Sequence, residues 1–125
     1  MTLQILVVED NALSRELAQS VLEISGHEVS VATSAQEFRA RLESNVVPDI
    51  VLMDILLPDG DGPALLRELR ALPVFKDVPV VALTAQALSG DADRFLAQGF
   101  NAVITKPINT RTFANEVARW AAKGK

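Results

Sequence analysis

The sequence contains no cysteine and only one histidine, His27. Without cysteine the chain can form no disulfide, no thiolate metal site and no thiol nucleophile. A single histidine cannot build a histidine-based metal cluster. No apolar run approaches the roughly 20 residues that a membrane span needs, and residues 1–4 lack the basic and apolar stretches of a signal peptide. These absences predict a cytoplasmic protein with no membrane partner.

The composition is that of an ordinary globular protein. The 125 residues suit one domain, predicted to cover residues 1–125. Hydrophobic residues make up 49% and charged residues 22% of the chain, which argues against disorder. The formal net charge of −4 disfavours direct nucleic-acid binding, because phosphates attract a basic face.

Strand and helix patterns alternate along the whole chain. Short apolar runs rich in Val and Ile predict strands at residues 5–8, 50–53, 78–83 and 102–105, with a weaker strand at 28–32. Helical patterns follow each of them. Their signals are a repeat of Leu13, Leu17 and Val21, a capping box from Ser34 to Glu37, Gly62-Pro63, residues 89–98, and a cap at Asn109 or Thr110. Five βα units predict an α/β fold with a parallel sheet and helices on both faces.

Polar residues stand where four of these strands end. Glu9-Asp10, Asp54, Thr84 and Lys106 each follow an apolar run. In such sheets ligands bind beyond the carboxyl ends of the strands, where the strand order reverses. The sequence therefore predicts that these side chains meet at one edge.

Three carboxylates at one edge require a proton or a cation. Two unit charges about 4 Å apart repel by about 4 kcal/mol at an effective dielectric constant of about 20. Carboxylates without His or Cys are hard oxygen ligands, which favours Mg²⁺, with Mn²⁺ as the alternative. A metal, a lysine and a hydroxyl suit a transferring phosphoryl group. Among these residues a carboxylate is the natural acceptor, and Asp54 in mid-sheet is the candidate nucleophile.

The four motifs together resemble the receiver domain of two-component response regulators. They are Val-Val-Glu-Asp-Asn ending at residue 11, Leu-Met-Asp-Ile-Leu-Leu-Pro ending at 58, Ala-Leu-Thr-Ala ending at 85 and Thr-Lys-Pro-Ile ending at 108. Their key residues are spaced by 44, 30 and 22 positions, and the resemblance covers essentially the whole chain. It implies a flavodoxin-like doubly wound (βα)5 fold with strand order 2-1-3-4-5.

The resemblance also implies a metal site. Asp10 and Asp54 would bind Mg²⁺ directly, together with the backbone carbonyl of Leu56, while Glu9 would act mainly through metal-bound water.

The phosphoryl chemistry follows from the same resemblance. Asp54 would attack a phosphohistidine on a histidine kinase or histidine phosphotransfer protein, after which Thr84 and Lys106 would bind the phosphoryl oxygens. The bond between Lys106 and Pro107 is usually cis in the family. Phosphorylation would change binding to a downstream protein through the fourth helix, fifth strand and fifth helix, roughly residues 89–122.

Two positions depart from the family pattern. Val103 replaces the aromatic residue that many receivers carry three positions before the lysine, so the signal is expected to pass through the 85–91 loop, with Phe100 as a second moving part. Leu56 is apolar where many receivers help to position the hydrolytic water, which predicts a long-lived phospho-Asp54. Gln86, at the second position that tunes this rate, is polar and neutral.

The same residues are compatible in part with two other functions. An aspartate-nucleophile phosphatase of the haloacid-dehalogenase type also uses a parallel sheet, Mg²⁺, Thr and Lys, but it needs a second aspartate where this chain has Leu56. A degenerate receiver that only binds partners conflicts with the complete set of site residues. The favoured reading is a stand-alone regulator resembling small cell-cycle regulators and not a metabolic enzyme. A receiver excised from a hybrid kinase is the alternative.

Overall fold

The computed structural model describes residues 2–85 and 90–123. Five strands form the main sheet: β1 (Gln4–Val8), β2 (Glu28–Ala32), β3 (Ile50–Asp54), β4 (Val80–Thr84) and β5 (Ala102–Thr105). The helices are α1 (Ala12–Ile24), α2 (Ala35–Glu43), α3 (Gly62–Arg70), α4 (Asp91–Ala97) and α5 (Phe113–Lys123), with a 3₁₀ turn at Pro73–Phe75. Within the described residues, no helix is long and apolar enough to span a membrane.

The sheet is parallel throughout and has the order β2-β1-β3-β4-β5, as predicted. Its register aligns the carboxyl ends, because Asp54 lies opposite Leu83 and Thr84 lies opposite Thr105. The order reverses between β1 and β3, so residues that follow these two strands face a common crevice.

Both faces of the sheet are covered, which explains the continuous apolar runs. Every residue of β3 is buried. Met53 packs in a core that contains Phe38 of α2 and Leu65 of α3. Leu52 packs in the opposite core, which contains Leu22 of α1. Full burial of such side chains stabilises a fold by about 1.5–3 kcal/mol each.

Side-chain caps begin three of the helices. Asn11 Oδ1 accepts a hydrogen bond from the Ser14 amide at 2.9 Å. Ser34 Oγ caps α2 and Asp61 Oδ1 caps α3 in the same way. Because each cap follows a strand, it fixes the turn that leaves the sheet edge.

The predicted helices and strands differ from the observed ones mainly at their ends. The last helix begins at Phe113, because Asn109 first closes a turn with its carbonyl and side-chain oxygens. Strand β4 begins after Pro79, which lacks the amide a ladder needs. Helix α4 is observed from Asp91, and the predicted start at position 89 lies outside the described residues.

Helix α1 forms where the leucine repeat predicts it, but it buries other residues. Ala18 and Leu22 face the core. Leu13 is 79% exposed and Leu17 is 40% exposed, whereas Val21 packs partly against the core, so only the first two residues of the repeat form a solvent-facing apolar stripe.

The loop after β3 folds back on itself and contacts α2. Residues Leu56–Leu57 pair antiparallel with Gly60–Asp61. Asp59 accepts hydrogen bonds from the amides of Ala35 and Gln36 at 2.7 and 3.1 Å. One loop therefore carries the residues that follow Asp54 and also caps a helix that lies earlier in the chain.

Candidate functional site

At the end of β1, the side chain of Glu9 points into the interior of the protein. The Glu9 amide donates to the Ala32 carbonyl at 3.0 Å, which continues the ladder to β2. The side chain is only 1% exposed, and its Oε2 accepts a hydrogen bond from the Asn11 amide at 3.2 Å. A carboxylate this deeply buried needs a compensating partner.

Lys106 supplies that partner and joins two strand ends. Its Nζ lies 2.5 Å from Glu9 Oε1 and 3.3 Å from Asp54 Oδ2. The Lys106 amide donates to the Thr84 carbonyl at 2.8 Å, so β4 and β5 place the lysine together. The bond between Lys106 and Pro107 is cis, as the resemblance implies. One ammonium group therefore bridges two carboxylates that lie 45 positions apart in the sequence.

Glu9 has a raised pKa in this site, and Lys106 has one too. Burial, followed by a hydrogen bond shared with Asp54, raises the pKa of Glu9 from 4.5 to about 7, although Lys106 opposes this rise. Burial lowers the pKa of Lys106, but the hydrogen bond to Glu9 and the attraction of Asp54 outweigh it, so the net direction is upward. The cluster thus has more negative charge than one lysine neutralises.

Three carboxylates at this edge fit a small divalent cation. Glu9, Asp10 and Asp54 each offer an oxygen within 4.8 Å of the others. All are hard oxygen donors, and burial followed by the neighbouring Asp54 raises the pKa of Glu9, which indicates that positive charge close to Glu9 is favourable. Asp10 is exposed, which leaves one side open to the water ligands that Mg²⁺ keeps.

Thr84 and Leu56 complete the predicted set. Thr84 ends β4 and is 3% exposed. The Leu56 amide donates to Asp54 Oδ1 at 3.2 Å, while the Leu56 side chain is 62% exposed. The structure thus brings all six predicted residues to one sheet edge, and their chemical roles remain predictions.

The apolar groove beside this edge was not predicted. Leu13 and Leu17 of α1 line it together with Pro107 and Ile108, and its volume is about 220 Å³. Lys106 also lines it, so the groove opens directly onto the acidic cluster. Leu13 and Leu17 of the leucine repeat line the groove, but helical periodicity alone does not predict that they face solvent.

The predicted route of signal transmission is only partly visible. Val103 is partly buried and packs against the core that contains Phe95 and Phe100. These two rings pack edge to face with centroids 6.2 Å apart. Gln86 and most of the 85–91 loop lie outside the described residues, so movement of that loop stays a prediction.

Comparison with known proteins defines the class. The response regulator receiver domain family matches residues 5–118, which is most of the chain. The protein therefore belongs to the response regulator receiver family, whose members are signalling domains rather than metabolic enzymes.

Individual relatives agree with this assignment. The polar-differentiation response regulator DivK of Brucella ovis is 35% identical over 117 residues, which cover 94% of each chain. A putative response regulator from Chloroflexus aurantiacus superposes with a TM-score of 0.89 at 30% identity, covering 98% of this chain and 99% of the other. The receiver domain of a Pseudomonas aeruginosa sensor histidine kinase, crystallised with magnesium in its active-site cleft, has a TM-score of 0.84 at 32% identity over 98% and 99% of the two chains.

Proposed function

We propose that this protein is a phosphorylation switch in which Asp54 accepts a phosphoryl group from a phosphohistidine. The observation that carries the proposal is the Lys106 ammonium 3.3 Å from Asp54 Oδ2, inside a cluster of three carboxylates. A metabolic role is not proposed, because the reaction modifies the protein itself.

The chemistry assigns a role to each residue of the site. A carboxylate oxygen of Asp54 forms the new O–P bond while the P–N bond of the donor breaks, and the electron pair stays on the imidazole nitrogen. Lys106 and the Thr84 hydroxyl contact the phosphoryl oxygens and neutralise their charge. When bound, Mg²⁺ supplies further charge neutralisation.

The proposed metal ligands are those that the resemblance to receiver domains implies. Asp10 and Asp54 would hold Mg²⁺ with the Leu56 carbonyl, and Glu9 would act through a water ligand. Support comes from the oxygen spacing given above and from the magnesium in the cleft of the Pseudomonas receiver domain.

Intact-mass measurement after incubation with acetyl phosphate and Mg²⁺ tests the proposal. The wild type should gain one phosphoryl group, and Asp54→Asn should gain none. Asp93→Asn is the matched control, because Asp93 is an exposed carboxylate on α4. Equal labelling of wild type and Asp54→Asn would refute Asp54 as the acceptor.

The donor is proposed to be a histidine kinase or a histidine phosphotransfer protein that docks on the groove beside Lys106. A donor must bring its phosphohistidine to Asp54, and this apolar surface is continuous with the site. Leu13 and Leu17 would be covered on docking, which favours a partner with an apolar helix face.

Two exposed residues of α1 provide a matched test of donor docking. Leu13 lines the groove and is 79% exposed, whereas Ile24 is 86% exposed at the other end of the helix. Leu13→Ser should slow transfer from a phosphotransfer protein that labels the wild type, and Ile24→Ser should not. Neither should change labelling by acetyl phosphate. Equal slowing by both substitutions would contradict docking at the groove.

The output is proposed to be a protein contact over α4, β5 and α5, acting in the cytoplasm without direct nucleic-acid or membrane binding. The DivK relative, matched over 94% of its own length, supports a stand-alone regulator. The similarity to the receiver domain of a histidine kinase from Syntrophus aciditrophicus supports the hybrid-kinase alternative. A pull-down with and without beryllofluoride should enrich a partner only in the activated state, and identical recovery in both would refute the switch.

A further inference from the structure

We propose that Arg15 is a positioning residue that sets the Mg²⁺ affinity of the acidic site by holding the backbone of Glu9 and Asp10. The Arg15 Nη1 lies 3.2 Å from the carbonyl oxygen of Glu9 and 3.2 Å from that of Asp10. Among the described residues, no hydrogen bond or ion pair joins Arg15 to the carboxylates of the site, so we infer that it acts through the main chain. The inference rests on the proposed metal site.

The position of Asp10 depends on its backbone more than on side-chain contacts. Within residues 2–85 and 90–123, no hydrogen bond or ion pair to the Asp10 carboxylate is found, whereas Glu9 is fixed by Lys106 and by the Asn11 amide. Two consecutive carbonyls held by one guanidinium fix the peptide planes on both sides of Asp10. The direction of its Cα–Cβ bond follows from those planes, which limits where the carboxylate can lie.

Arg15 is subject to two opposing electrostatic effects, repulsion by the start of its own helix and attraction to the carboxylate of Glu37. Its amide makes an early helical hydrogen bond of α1, to the Asn11 carbonyl at 2.9 Å. A cation is unfavourable near a helix N-terminus because the macrodipole is positive there. The guanidinium nevertheless folds back over this end, where the two carbonyls accept its hydrogen bonds.

The charge of Arg15 and its positioning of the backbone change the Mg²⁺ affinity in opposite directions, so the direction of the change tells them apart. Its positive charge repels a cation, so charge alone predicts tighter Mg²⁺ binding when Arg15 is removed. Loss of backbone positioning predicts weaker binding, and outer partners of metal ligands typically contribute about 10- to 100-fold in affinity. The lower end of this range is expected here, because Arg15 acts through carbonyls of a partly exposed loop.

Isothermal titration of the metal-free protein with Mg²⁺ is the test. Arg15→Gln is neutral and too short to reach both carbonyls, and it should weaken Mg²⁺ binding about tenfold. Arg15→Lys keeps a donor that can contact both oxygens and should restore most of the affinity. Arg41→Gln is the control, because Arg41 Nη2 also donates to a backbone carbonyl, that of Val31 at 3.1 Å. It removes the same charge and should leave Mg²⁺ affinity unchanged.

The outcomes separate this inference from the proposed function. If the wild type binds no Mg²⁺, the proposed metal site fails and this inference fails with it. If the wild type binds Mg²⁺ and Arg15→Gln binds equally or more tightly, only the positioning role is overturned. Arg15→Met serves as the neutral variant if Arg15→Gln does not fold, as judged by thermal unfolding without Mg²⁺.

A second readout is the rate at which acetyl phosphate labels the Arg15→Gln variant. This rate should recover at saturating Mg²⁺, and a persistent loss would also overturn the positioning role.

Discussion

The stability of the metal-free protein is expected to fall as the pH rises from 5.5 to 8, with Glu9 as the cause. Burial and the hydrogen bond shared with Asp54 raise the pKa of Glu9 from 4.5 to about 7. Between these values the unfolded chain has lost a proton that the folded chain keeps. Because the unfolded state then binds fewer protons, stability declines with rising pH.

The size of this effect follows from the two pKa values. Their difference corresponds to about 3 kcal/mol over the full range, and about 2 kcal/mol of this falls between pH 5.5 and 8. Lys106 does not contribute, because its pKa is raised above 10.5 and it stays charged throughout. Hydrogen bonds from Thr33, from Ala35 and from Arg39 lower the pKa values of Glu37, Asp59 and Glu68, respectively. The stability that these acids add is therefore already nearly complete at pH 5.5 and stays constant above it.

Urea unfolding in the presence of EDTA measures the effect, with Trp120 as the single fluorescent tryptophan. Glu9→Gln is the matched variant, since its amide is neutral at every pH and resembles the protonated acid. The wild type should lose stability relative to Glu9→Gln as the pH rises, and saturating Mg²⁺ should reduce that loss by replacing the proton. Parallel pH dependences of the two proteins would show that the reasoning about Glu9 is wrong.

Three further predictions concern the loop after Asp54. Leu56→Asn should shorten the lifetime of phospho-Asp54 by offering a hydrogen bond to the hydrolytic water, measured by intact mass after removal of acetyl phosphate, and an unchanged lifetime would contradict it. Asp59→Ala should cost about 1 kcal/mol in urea unfolding because two amides of α2 lose their acceptor; an unshifted midpoint would refute the capping role. Gly62→Ala should cost about 1–3 kcal/mol, because a Cβ there would lie 3.1 Å from Ile55 Cα and 3.2 Å from the Asp54 carbonyl oxygen. Unchanged stability would show that the loop relaxes freely.

The strand ends were predictable from the sequence because parallel sheets obey a simple rule. Apolar runs covered on both faces identify the strands, and each run ends at a polar residue. Since the carboxyl ends of parallel strands share one edge, the grouping of Asp54, Thr84 and Lys106 follows without knowledge of distances. The strand order came from the family resemblance and is confirmed.

The sequence did not predict which charges are buried or which leucines face solvent. From the sequence, Glu9 could equally be a surface carboxylate like Asp10. Its burial, at 1% exposure, results from the turn at the end of β1. The exposure of Leu13 could not be predicted either, because helical periodicity defines an apolar stripe but not whether that stripe faces the core or solvent. The contacts of Arg15 could not be predicted from the sequence, because its partners are backbone carbonyls, which every residue has.

The capping of α2 by Asp59 links the first amides of that helix to the loop that follows Asp54. The amides of Ala35 and Gln36 donate hydrogen bonds to the carboxylate of Asp59, more than 20 positions later, in the loop that follows Asp54. A displacement of that loop would lengthen these two bonds and should speed the exchange of the two amides with solvent. We therefore expect hydrogen exchange at these two backbone positions to report whether the loop after Asp54 has moved, without any probe attached to the protein.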